Sequence, residues 1–175
     1  MSNERKILYV STGINFVIGI TLGIILFFCQ IRSGGEFPQN MYEYEREVSV
    51  ADFLRMVWID LLWFVSVVIA YGILKARLIH PAIVIRGCIS SFSVLYVLSV
   101  FGIKEMLATI IPQCFTILPM LIIFSAETVS KQISMENKAS GISVKKSEII
   151  GILALSVLSA GAEVLIFKAF CTYLF

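Results

Sequence analysis

Three ionisable residues lie deep inside apolar stretches: Asp60 in "RMVWIDLLWFVSVV", Arg86 in "AIVIRGCISS" and Glu163 in "LSAGAEVLIF". Charge at membrane depth is expensive, so such residues are either held by partners or mark a route for ions or protons. Arg55 and Lys168 stand nearer the ends of their stretches, where a long stem lets the charge snorkel outward. At about 1.5 Å per residue, Asp60 falls on the order of 13 Å below one end of its helix, Glu163 at a similar depth, and Arg86 roughly 9 Å deeper. A long arginine side chain just reaches toward Asp60 across that gap. Two readings follow: a buried ion pair that fixes how three helices pack, or a polar pathway through the membrane.

No catalytic constellation accompanies these charges. The chain has no H-E-x-x-H, no G-x-S-x-G and no P-loop, and its single histidine, His80, stands before Pro81 with no partner acid nearby in sequence. An intramembrane enzyme would need Asp60 or Glu163 to face a substrate-sized cavity, which is the minority reading; a noncatalytic protein is expected. Cys29, Cys88, Cys114 and Cys171 fall in apolar segments without a C-x-x-C pair. They read as small buried hydrophobes, and neither a metal nor a cofactor is expected. Cys29 and Cys171 come out near the same face, close enough in the topology below for a disulfide that nothing else supports.

The elements that must position these residues follow from composition. Of 175 residues 58% are hydrophobic and only 15% charged, and the mean hydropathy is +0.92. An ordinary water-facing surface is excluded. A net charge of +2 from scattered Lys and Arg gives no basic stripe, so nucleic acid is not an expected partner. Spanning a bilayer takes about 20 mostly apolar residues, and five stretches meet that length: roughly 7 to 30, 51 to 74, 78 to 101, 103 to 126 and 149 to 172. The expected fold is all-α, one integral membrane bundle of about five helices over residues 1–175, with the lipid bilayer as its first partner. The first stretch is too long for a signal-peptide core and has no small-residue cleavage site, so it is expected to stay attached.

Lys and Arg in short loops set orientation. Arg5, Lys6, Lys75, Arg77, Lys131, Lys138, Lys145 and Lys146 flank one side, against Arg32, Arg46 and Lys104 on the other. The expectation is a bacterial cytoplasmic membrane protein with its amino terminus inside and carboxyl terminus outside. The outer loop "RSGGEFPQNMYEYEREVSVAD" is acidic and rich in Tyr, Gly and Pro. Glu43, Tyr44, Glu45 and Glu47 within it are the candidate docking surface. Gly19 and Gly23 form a G-x-x-x-G pair that lets another helix approach closely, either within the chain or in a homo-oligomer. Trp58 and Trp63 lie inside the second stretch and read as packing residues.

The fourth stretch carries Pro112 and Pro119. Each removes a backbone donor, leaving carbonyls near Ala108 and Phe115 without their usual partners. The helix is therefore expected to be kinked or broken, with Thr109, Gln113 and Thr116 offering local hydrogen bonds on a face turned inward. A broken helix can build a midplane transport site; a packed proline kink is the commoner occurrence. Whether this stretch crosses fully or turns back is left open by the sequence.

Arg86 and Gly87 opening a helix, the small residues Ser90 to Ser93, Gly102, Pro112 followed by Gln113, and then Pro119 form a pattern over the third and fourth stretches. In this the chain resembles the stage II sporulation protein M family of multi-pass bacterial membrane proteins, with the same number of helices. It departs from the family at Cys114, where Asn or Gly is expected, and at Ser90 and Ser91, where glycine is usual. The resemblance implies a noncatalytic membrane anchor that recruits peptidoglycan-degrading partners to the septal membrane during engulfment. The competing expectation is a membrane subunit beside an ATP-driven exporter, which would need a separate ATPase and a polar site at the broken helix.

Overall fold

The computed structural model describes residues 3–34, 49–74, 81–136 and 146–174. Among the described residues the regular structure is helix: α1 (Asn3–Arg32), α2 (Val50–Leu74), α3 (Pro81–Val100), α4 (Ile103–Phe115), α5 (Ile117–Glu136) and α6 (Lys146–Leu174). Five stretches are long and apolar enough to cross a membrane, the fourth being α4 and α5 together over Ile103–Val129. This is the all-α, multi-pass architecture expected from hydropathy.

The helix ends are chemically marked. Ser49 and Asp52 close the start of α2 reciprocally: the Asp52 amide donates to Ser49 Oγ at 3.2 Å and the Ser49 amide to Asp52 Oδ2 at 3.0 Å. Two otherwise orphaned donors are thereby satisfied. Pro81 opens α3, where its missing N–H has no helical partner to lose and its fixed φ is already helical. Gly102 joins α3 to α4 at φ +106°, a backbone region costly for a residue with a Cβ. Its amide and that of Phe101 both donate to the Val97 carbonyl, at 3.2 and 2.9 Å.

α1 and α3 form the most intimate pair in the bundle. They run parallel, since Gly19 meets Val84 and Cys88, and one turn on Gly23 meets Cys88 and Ser91. Phe27 extends the seam, packing edge-on against Phe92 at 5.7 Å within a small cluster that includes Tyr96, Val97, Phe101 and Met106. Toward the opposite end, Phe64 and Val67 of α2 pack with Ile83 of α3, Leu121 of α5 and Ile152 of α6 in the larger core.

These two clusters decide the course of the fourth stretch. α4 begins beside Phe27, through Met106, whereas on α5 Glu127 accepts a hydrogen bond from Tyr9 near the start of α1 at 3.2 Å. The stretch therefore runs from one end of the bundle to the other. It crosses, and does not turn back. Large apolar side chains stand exposed on every helix, among them Ile25 of α1, Leu62 of α2, Ile89 of α3, Phe115 of α4, Ile123 of α5 and Leu165 of α6. Such a surface is compatible with contact to a lipid bilayer.

Candidate functional site

Asp60, on the face of α2 that also carries Trp63, is 3% exposed, and Arg86 of α3 is 9% exposed. The Arg86 guanidinium carbon lies 5.2 Å from the centroid of the Trp63 ring. A cation over an indole face is attracted by the ring quadrupole, most strongly where water is excluded. Trp63 thus holds the arginine, while Trp58, one turn earlier on a different face, is exposed at the bundle surface.

Arg86 acts electrostatically on both Asp60 and Glu163, and the two carboxyls act on each other. Three helices are joined in this way: α2, α3 and α6. On α6 Ser156 and Ser159 are fully buried, alongside Ile152 and Ala160, and Glu163 on the same side is half-buried. Spacings of three and four residues align these side chains on one side of a helix. The Ser156 hydroxyl donates to the Ile152 carbonyl one turn back at 2.9 Å. Ser159 faces the Asp60 carboxyl, yet Ser159 Oγ, Asp60 Oδ2 and Arg86 Nε all lack a hydrogen-bond partner.

The sequence singles out Asp60, Arg86 and Glu163, and in the structure the three lie within electrostatic reach of one another. It did not point to Ser159, Ser156 or Trp63. The i, i+3, i+7 spacing of Ser156, Ser159 and Glu163 was the available signal, and Trp63 stands one helical turn after Asp60.

The broken stretch is arranged differently. Helix breaks at Thr116, between the two prolines and at neither, with φ −118° and ψ −91°. The position has a steric reason: in an unbroken helix Pro119 has no N–H for the Phe115 carbonyl and its ring would press on that carbonyl, whereas restarting at Ile117 puts Pro119 in the first turn of α5, where amides have no helical partner anyway. Pro112 is buried inside α4, and its carbonyl accepts both the Thr116 amide at 3.1 Å and the Thr116 hydroxyl at 2.7 Å. Thr109 turns its hydroxyl back to the Glu105 carbonyl at 2.9 Å. Gln113 is half-buried, whereas Cys114 and Pro119 are exposed on the bundle surface.

The glycine face is occupied within the chain. A Cβ at Gly19 or Gly23 would overlap backbone atoms of α3, and Gly87 answers from α3 with a Cβ position 2.6 Å from the Phe16 carbonyl oxygen. The Ser91 hydroxyl adds a hydrogen bond across the seam to the Ile20 carbonyl at 3.0 Å. Cys29 is an exposed free thiol. The Cys171 side chain and the docking candidates Glu43, Tyr44, Glu45 and Glu47 lie outside the described residues.

Comparison of the chain with family models, curated proteins and solved structures returned no match.

Proposed function

We propose that this chain is a noncatalytic multi-pass membrane scaffold, similar in role to stage II sporulation protein M, that positions envelope or peptidoglycan-remodelling partners at a bacterial cytoplasmic membrane. Its amino terminus lies inside and its carboxyl terminus outside. The observation carrying this reading is the closure of the broken stretch on itself. An exporter subunit built around that break would leave the Thr109 and Thr116 hydroxyls free to meet a substrate, as discontinuous transporter helices do. Both are instead engaged by carbonyls one turn back on their own helix. The glycine-tight seam of α1 and α3 likewise supports a fixed body more than one that rocks open.

Positioning rather than chemistry is then the mechanism: a bundle of set shape presents an outer loop containing Glu43 to Glu47 to its partner. Crosslinking of the tagged protein in its native membrane, affinity recovery and mass spectrometry test this directly. Recovery of peptidoglycan hydrolases, lost when residues 39–48 are deleted, is the expected result. Recovery of an ATPase in their place would transfer the assignment to a transport subunit.

A further inference from the structure

Two carboxyls and one guanidinium share the site between α2, α3 and α6. With all three ionised the cluster carries one uncompensated negative charge, because only Arg86 is positive. An unbalanced buried charge is costly even after relaxation of its surroundings. One additional positive charge removes that cost. A metal ion would need a set of ligands, and no group of three or more His, Cys, Asp or Glu suited to one occurs among the described residues. A proton needs only a carboxylate oxygen to sit on and an acceptor to face.

Both are present. Asp60 Oδ2 is buried with no hydrogen-bond partner, and the equally partnerless Ser159 Oγ stands on the neighbouring helix facing the same carboxyl. The Ser159 hydroxyl can donate to an ionised Asp60 or accept from a protonated one, and it is fully buried, so water does not compete for it. We propose that Asp60 and Glu163 together hold one exchangeable proton within the membrane-spanning bundle, opposite Arg86 and beside Ser159.

The charged groups acting on the pair are Asp60 itself from α2, Arg86 from α3 and Glu163 from α6. On α5, Glu127 is engaged by Tyr9 of α1 toward the far end of the bundle. On α4, Lys104 and Glu105 belong to the first turn and Cys114 is exposed at the surface. The balance is therefore a count over three side chains. Removing either carboxylate leaves one negative and one positive charge, and the proton is no longer needed. Removing the arginine leaves two carboxylates and calls for two protons.

Infrared difference spectra of the full-length protein in phosphatidylcholine vesicles, recorded between neutral and alkaline buffer and repeated in deuterium oxide, test this count. The wild type is expected to show one protonated-carboxyl carbonyl band at neutral pH that shifts in deuterium oxide. It should be lost in both Asp60→Asn and Glu163→Gln, retained in Glu127→Gln and approximately doubled in Arg86→Gln. Should the arginine variant fail to fold, the two near-isosteric carboxyl variants still decide. Absence of the band in the wild type, its survival in both carboxyl variants, or its loss in only one of them would overturn the proposal.

Discussion

Gly19 of α1 lies flat against Val84 of α3: a Cβ added at Gly19 would overlap the Val84 carbonyl oxygen and come within 3.1 Å of the Cys88 amide nitrogen. Backbone cannot rotate away as a flexible side chain can, so the two helices must separate to admit even a methyl group. In a bilayer, where lipid tails are as apolar as the helices, this close van der Waals approach is what favours association.

Gly19→Leu and Gly23→Leu should therefore each destabilise the folded protein by about 3 kcal/mol, the upper part of the range for overpacking. Gly13 is the internal control, since a Cβ there meets nothing within 4 Å. Gly13→Ala should be neutral or stabilising by up to about 1 kcal/mol, through helix propensity alone. Unfolding in detergent micelles measures all three. A Gly19 variant as stable as the wild type would mean that α1 and α3 do not pack through this face.

The charge count gives a second, asymmetric expectation. Asp60→Asn should change stability little, because one carboxylate still faces Arg86. Arg86→Gln should cost about 3 kcal/mol, the scale for stripping one partner from a buried ionic group. The double variant Asp60→Asn/Arg86→Gln should recover at least ~1 kcal/mol of that loss, a coupling of the size found between contacting residues. Equal costs for the two single variants, added without coupling in the double, would show that the side chains do not act on each other.

Sequence made the spans and the intramembrane charges legible for plain reasons. Apolar runs of membrane-spanning length have few alternatives, and a charge among them stands out by type alone. Its partners do not stand out. Ser159 resembles any serine in an apolar helix until α6 is set beside α2, and the pairing of Gly19 with Val84 joins residues far apart in the chain. The fourth stretch was legible as broken but not as broken at Thr116, because the fracture lies between the prolines. Its full crossing, open in the sequence, follows from contacts at its two ends, Met106 near Phe27 and Glu127 with Tyr9.

At the fracture, Thr116→Val removes the hydroxyl that donates to the Pro112 carbonyl at 2.7 Å while nearly preserving shape. The carbonyl keeps the Thr116 amide, so the loss should be about 1 kcal/mol, one ordinary hydrogen bond. Pro119→Ala should cost less than about 1 kcal/mol, since an amide in the first turn of α5 has no helical acceptor to regain and the side chain is exposed. Thermal unfolding of the two variants side by side checks the order. A larger loss for Pro119→Ala would place the structural burden on the proline instead of on the threonine.

Cys114 separates the scaffold from a transport subunit most directly. It is exposed on the surface of the bundle beside Phe115, which is itself 74% exposed. In a membrane that surface meets hydrocarbon. Thiol reagents act on the thiolate, which forms readily only where water reaches the sulfur. A membrane-impermeant thiol reagent applied to sealed native membranes opened to both sides in turn should therefore leave Cys114 unmodified, while Cys29, one turn from the end of α1 and exposed, is modified. After denaturation both should react, as peptide mass spectrometry would show. Rapid modification of Cys114 in the intact membrane would mean that water enters at the fracture of α4 and α5, a path that a closed scaffold does not have and a transporter must.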